Sequence, residues 1–235
     1  MHERQTPIAV GEYYHIYSRG VDKRPIFLDG EDEKRFIRLL YLCNGSTPIV
    51  YRETKKLPLL LINKGECVTA VGAYCLMSNH FHFLLKETNE GGITKFMSKI
   101  LTAYSSYFNK KYGRTGSLFG SNFKSEHLDT DEYLKYIFSY IHLNPLKAVS
   151  KNWNVEPLDR VKAEPFLLNY YGSSYLDYVG SGREESCILN KLAFPDYFPS
   201  ISDFQNNLFE WLSTDLPRKG LGRVGDNLDR EEVLQ

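Results

Sequence analysis

The sequence predicts an α+β fold. Its core is a ferredoxin-like split βαβ unit, an antiparallel sheet with two crossover helices on one face, followed by a third helix and a C-terminal helical extension. Three observations carry this reading. Tyr13 to Arg19 is aromatic and β-prone, and Gly20 ends it. Tyr74 to Leu85 reads as two buried strands around a tight turn at Ser78-Asn79, whose side chains can hydrogen-bond their own backbone. From Ile93 to Tyr112, the residues Ile93, Phe96, Met97, Ile100, Leu101, Tyr104 and Phe108 recur at three and four, one broad apolar helix face.

The elements follow in order. Strand one is Tyr13 to Arg19. Asp32 to Cys43 is a helix, with Phe36, Leu39, Leu40 and Cys43 on one face, acids in its first turn, and Asn44-Gly45 as its stop. Residues 44–65 carry Pro48, Pro58 and a polar middle, and read as an inserted loop or small hairpin. Glu66 to Met77 is strand two, and His80 to Glu87 strand three. The long helix from Ile93 ends at Gly113. Ser117 to Leu128 reads as strand four, with Gly120 marking a bulge or a close backbone approach. Asp129-Thr130-Asp131-Glu132 caps a helix running to about Asn144, where Pro145 fits a helix end or a kink. The order is thus β-α-β-β-α-β and a third helix. Residues 1–150 form the core domain on this reading, and residues 151–235 the extension. In the extension, Tyr170 to Tyr175 is a packing segment or turn, Ile201 to Ser213 a short amphipathic helix, and residues 216–235 a polar tail.

Composition narrows the class. With 42% hydrophobic and 25% charged residues the chain is an ordinary globular one. No run approaches ~18 apolar residues, so no membrane partner is expected, and the polar N-terminus shows no secretory signal. The four cysteines are scattered without a CxxC pair, which fits a reducing cytoplasm and argues against a zinc cluster. The net charge is zero, so a whole-surface positive field is excluded and a local one is not. From Gly91 to Ser125 there are six basic residues, Lys95, Lys99, Lys110, Lys111, Arg114 and Lys124, and no acid. Aromatic residues interleave with them, the pattern that grips and stacks single-stranded nucleic acid. Arg19, Lys23 and Arg24 add a second basic group after strand one.

His80 and His82 are two apart on a strand and therefore share a face, while Phe81 and Phe83 face the other way. Two adjacent imidazoles begin a divalent-metal site. Tyr140 and Asn144 lie one turn apart on the third helix. The amide oxygen can complete the coordination of Mg²⁺ or Mn²⁺, and the phenol can attack phosphorus.

These residues carry a resemblance. Tyr14-His15-Ile16-Tyr17-Ser18-Arg19-Gly20, Cys75-Leu76-Met77-Ser78-Asn79-His80-Phe81-His82, Gly116-Ser117-Leu118-Phe119, Tyr140-Ile141-His142-Leu143-Asn144-Pro145 and Ser173-Ser174-Tyr175 occur in the order seen in the HUH single-strand DNA transposases of the insertion-sequence-200-like superfamily. Within that group the chain is similar to the REP-associated tyrosine transposases. The resemblance implies that His80, His82 and Asn144 hold a divalent metal and that Tyr140 is the nucleophile carried by the third helix. It implies DNA nicking and rejoining through a 5′-phosphotyrosine, with hairpin-bearing single-stranded DNA as partner and a monomer or homodimer as the acting species. The alternative is a regulator of the same fold that binds DNA without turnover. Ser78 stands where proline is common in the family. Gly172 stands where tryptophan often precedes Ser-Ser-Tyr, at a cost in packing.

Overall fold

The computed structural model describes residues 7–149 and 159–213. Its element order is β1 (Tyr13–Arg19), α1 (Gly30–Cys43), the single turn α2 (Tyr51–Thr54), β2 (Ala70–Met77), β3 (His80–Lys86), α3 (Gly92–Tyr112), β4 (Lys124–His127), α4 (Asp131–Leu143), α5 (Arg160–Leu168), the single turn α6 (Tyr175–Tyr178) and α7 (Ile201–Ser213). The four strands form one sheet in the order β2-β3-β1-β4, every neighbouring pair antiparallel. This is the split βαβ arrangement expected from the sequence.

Strand alternation divides the sheet into two faces. Ile16, Tyr74, Leu76, Phe81 and Phe83 point to the side covered by α1 and α3. There Phe36 of α1 packs its ring 5.2 Å from Phe81 and 4.8 Å from Tyr104 of α3. The opposite face carries Ala73, Cys75 and Leu84. These share a second core with Leu134, Ile137 and Ile141 of α4, and with Tyr175, Phe194, Phe204 and Leu208 of the extension.

Local chemistry sets the element ends. Asp29 caps α1 by accepting from Glu31 N and Asp32 N, and Thr130 caps α4 by accepting from Tyr133 N. The N-terminus of α3 has a buried carboxylate instead. Glu87, expected as the last residue of strand three, stands just beyond it and accepts from Gly92 N at 3.0 Å and Ile93 N at 2.7 Å.

The exposed edge of β2 is sealed by the extension. Leu76 N donates to Gly172 O, Ser174 N to Tyr74 O, and Tyr74 N to Ser174 Oγ. Tyr170 to Tyr175 is thus a sheet-edge cover. A Cβ on Gly172 would come within 3.2 Å of the Tyr170 ring, so this position has little room for a tryptophan. Phe194 lies flat over Gly72, where a Cβ would come within 2.7 Å of the ring.

Two expectations are corrected, one is narrowed to the first of its two alternatives, and one helix is added. Strand four is Lys124–His127 alone. The backbone of residues 117–123 joins the sheet through the bridge of Gly20 with Phe119 and the bond from Gly120 N to Arg19 O, and the Phe119 ring packs 6.0 Å from Phe81. Strand two starts at Ala70, because Asn44 takes the preceding backbone: its Oδ1 accepts from Val68 N and Thr69 N. The insertion is a loop with short helical turns rather than a hairpin. It is held to α1 by Arg38, which donates to Thr54 O and Leu57 O, and to the extension by Leu59 N donating to Glu184. Helix α5 was not expected at all. It starts at the cap Asp159 and carries Pro165 inside. The polar tail and the boundary near residue 150 lie outside the described residues.

Candidate active site

The site face of the sheet is built by three strands in register. Arg19 lies opposite His80, Tyr17 opposite His82, and His15 opposite Glu126. Helix α4 crosses above them with Tyr133, Tyr136 and Tyr140 in a stripe, neighbouring rings 6.4 and 5.9 Å apart. The Tyr140 ring meets His82 edge-on at 5.5 Å and His15 at 6.0 Å. His80 and His82 stand perpendicular, 4.9 Å between centroids. His80, His82, Tyr140 and Asn144 are all buried.

The α4 end that carries Tyr140 and Asn144 is anchored by His142. Its Nδ1 donates to Phe138 O at 2.8 Å, which leaves Nε2 to accept from Ser174 Oγ at 2.8 Å. The middle histidine of Tyr-Ile-His-x-Asn-Pro and the serine of Ser-Ser-Tyr therefore form one contact. Burial pushes the His142 imidazole down to about 3, against the raising effect of its bond to Phe138 O.

The donor atoms fit a divalent cation. His80 Nε2, His82 Nε2 and Asn144 Oδ1 are buried and have no hydrogen-bond partner. The other atom of each group is already committed. His80 Nδ1 meets Asn79 Oδ1 at 2.6 Å, His82 Nδ1 meets His15 Nε2 at 2.9 Å, and Asn144 Nδ2 donates to Tyr140 O at 2.9 Å. A buried polar atom without a partner is costly, and three on one face of a fold call for a ligand. Burial holds both imidazoles well below their usual range, and the charges of Lys147 and Arg19 add to this. Both rings are neutral near pH 7 and keep a lone pair to donate. Among the described residues no group of three His, Cys, Asp or Glu side chains could hold a metal, and Asn144 Oδ1 is a partnerless buried oxygen outside those four residue types.

The nine basic residues separate into three groups. Arg19 and Lys124 lie on the imidazole face, Lys124 with its Nζ 5.9 Å from the Tyr17 ring. Lys23 and Arg24 lie in the turn after β1, which packs on the Ser78-Asn79 turn through Gly20 N to Asn79 O and Asn79 Nδ2 to Lys23 O. Lys95, Lys99, Lys110, Lys111 and Arg114 belong to α3 and its end, on the opposite face of the sheet. Two of these five have structural work. Lys99 donates to Gly45 O at 2.7 Å, and Lys111 is 2.8 Å from both Asp29 and Asp32. The helix buries its apolar face against the far side of the sheet, and this carries its lysines away from the imidazoles.

Sequence reasoning missed three neighbours of the site. His15 and Glu126 face each other across β1 and β4, and Lys147 lies one turn past Asn144 with its Nζ 5.6 Å from the Tyr140 ring. The i, i+2 alternation of His15, Tyr17 and Arg19 is the signal that places His15 on the imidazole face.

Residues 53–144, which hold all four of His80, His82, Tyr140 and Asn144, match the family model described as "Transposase IS200 like". None of the curated proteins matches the chain. Among solved structures, the chain is similar to a REP-associated tyrosine transposase bound to a REP hairpin, at 12% identity and a TM-score of 0.45, over 77% of this chain and 87% of that one. No helix among the described residues is long and apolar enough to cross a membrane. The resemblance to the IS200-like transposases read from the sequence is therefore borne out, over the segment that carries the whole candidate site.

Proposed function

We propose that this protein nicks and rejoins hairpin-bearing single-stranded DNA in the cytoplasm, in a reaction that depends on a divalent cation and passes through a phosphotyrosine on Tyr140. The observation that carries this reading is the set of three partnerless buried donors, His80 Nε2, His82 Nε2 and Asn144 Oδ1, on the face where the Tyr140 ring meets His82. These three atoms would hold Mg²⁺ or Mn²⁺, which supplies Lewis acidity toward a phosphoryl oxygen.

The chain's own residues account for the rest. The Tyr140 oxygen forms a bond to phosphorus as the bond from phosphorus to the 3′-oxygen breaks. The phenol loses its proton, the departing oxygen gains one, and a 3′-hydroxyl is left beside a 5′-phosphotyrosine. Rejoining reverses these changes with a second 3′-hydroxyl. A phenol with an ordinary pKa near ~10 is a weak nucleophile at neutral pH. The Lys147 ammonium lies 5.6 Å from the centre of the Tyr140 ring and brings a positive charge to that side of the site. Arg19 and Lys124, on the same face, and Lys23 and Arg24, at its edge, suit a phosphate backbone.

The experiment is a nicking assay on labelled hairpin oligonucleotides with Mg²⁺ or Mn²⁺. Cleavage that a chelator abolishes and that Tyr140→Phe lacks, with DNA binding retained, supports the proposal. Cleavage by Tyr140→Phe overturns the choice of nucleophile. The burial of all four residues favours a second reading, a DNA-binding regulator of the same fold without turnover. Hairpin binding without cleavage under every metal would select it.

A further inference from the structure

His82 has a partner that no part of the proposed chemistry uses. His15 is fully buried, stacks on His82 at 5.1 Å with an interplanar angle of 11°, and sets its Nε2 2.9 Å from His82 Nδ1. Its other nitrogen, Nδ1, faces Glu126 Oε2 at 3.7 Å. That carboxylate is held in turn by two phenols, Tyr17 OH donating to Oε1 at 3.3 Å and Tyr133 OH to Oε2 at 3.5 Å.

A neutral imidazole carries one N–H, so a bond between two neutral rings has only two arrangements. In the first, His15 Nε2–H donates to His82 Nδ1. His82 must then carry its proton on Nε2, where no acceptor stands and no lone pair is left for a cation. His15 would also turn a lone pair toward the Glu126 carboxylate. In the second, His82 Nδ1–H donates to His15 Nε2, and His15 carries its proton on Nδ1, facing the carboxylate. This leaves the lone pair of His82 Nε2 exposed to the site. The second arrangement turns an N–H toward the carboxylate and a lone pair toward the site, whereas the first turns a lone pair toward the carboxylate and an N–H to where no acceptor stands.

We infer that His15 is a positioning residue that locks His82 in the Nδ1–H tautomer, with Glu126 setting the tautomer of His15 from behind. The line Glu126, His15, His82 reaches from the edge strand β4 through the central strand β1 to the candidate cation site, and prepares His82 Nε2 as a ligand before any cation arrives. The inference rests on the reading of His82 as a metal ligand for its purpose. It does not rest on that reading for its geometry.

The tautomer is read on the metal-free protein by long-range ¹H–¹⁵N correlation spectra of ¹⁵N-histidine-labelled samples, and Mn²⁺ affinity is read separately by titration calorimetry. In the native protein His82 is expected in the Nδ1–H form. His15→Phe removes the acceptor and should lower Mn²⁺ affinity by roughly 10–100-fold. His15→Gln restores an acceptor oxygen and should recover most of it, which a purely packing role for the ring would not explain. Should His15→Phe fail to fold, Glu126→Gln serves in its place, with a mixture of His82 tautomers expected. An Nε2–H form of His82 in the native protein overturns the inference, as does unchanged Mn²⁺ affinity in a folded His15→Phe or an unchanged tautomer in Glu126→Gln. Because the tautomer measurement uses neither DNA nor metal, a protein that never cuts DNA can still pass it, and a nuclease can still fail it.

Discussion

Arg183 ties the extension to the edge of the sheet, and its removal has a calculable cost. Its Nε and Nη2 bond Asp177 Oδ1 and Oδ2 at 2.7 and 2.6 Å. It also donates to Tyr171 O, Ser173 O and the Tyr74 hydroxyl of β2, all within 2.9 Å. The Asp177 side chain is fully buried and that of Arg183 is 12% exposed. Arg183→Met keeps most of the volume and removes every donor. It takes the donor from two carbonyls and leaves the buried carboxylate uncompensated, with the Tyr74 hydroxyl at 3.4 Å from Oδ2 as a remaining neutral donor, and breaking a buried pair from one side costs about 3–5 kcal/mol. Urea unfolding followed by circular dichroism should show that loss with an unchanged slope, since the extension and the sheet share one core. The double variant Arg183→Met/Asp177→Asn should recover at least about 1 kcal/mol, because the stranded charge is gone. A loss below about 1 kcal/mol in the single variant would refute the reasoning, since it would mean that the pair is not desolvated as the structure has it.

Two further outcomes follow from the site. Mn²⁺ at about 100 times its dissociation constant should stabilise the native protein by ~2.7 kcal/mol in a thermal melt, through binding to the folded state alone. His82→Ala should abolish that gain, and a gain that survives would place the cation elsewhere. Lys124→Ala should weaken hairpin binding and reduce its salt slope by about one, while Lys111→Ala, which removes a partner of Asp29 and Asp32, should lower stability and leave the slope unchanged. Equal slopes in the two variants, measured by fluorescence anisotropy across a salt series, would contradict the division of the lysines between the two faces.

What the sequence showed, and what it hid, has a physical pattern. β1 is readable to the residue, because the aromatic, β-prone run Tyr13–Arg19 ends at a glycine, and α3 nearly so, because its apolar face repeats over about four turns. The imidazole pair and the Tyr140–Asn144 pair were readable because each depends on one local period, two for a strand and four for a helix. Contacts between elements were hidden. The lysines of α3 read as one basic surface, and no local signal says which face of the sheet a crossover helix covers. Glu87 looked like a strand end, and its carboxylate serves the next helix. His15 was one residue in an aromatic strand until the register set it between His82 and Glu126. Strand four is shorter than its apolar run suggests, because Leu118, Phe119 and Phe123 pack into the core from irregular backbone.

The reading of Tyr140 as nucleophile is best tested by finding the bond itself. The protein is incubated with a hairpin oligonucleotide and Mn²⁺, the DNA is digested, and the tryptic peptides are sequenced by mass spectrometry. A nucleotide attached through phosphate to Tyr140, absent when the cation is chelated, is the predicted result. The same mass on Tyr133 or Tyr136, its neighbours in the α4 stripe, would contradict the account, and so would cleavage that leaves no nucleotide on any tyrosine.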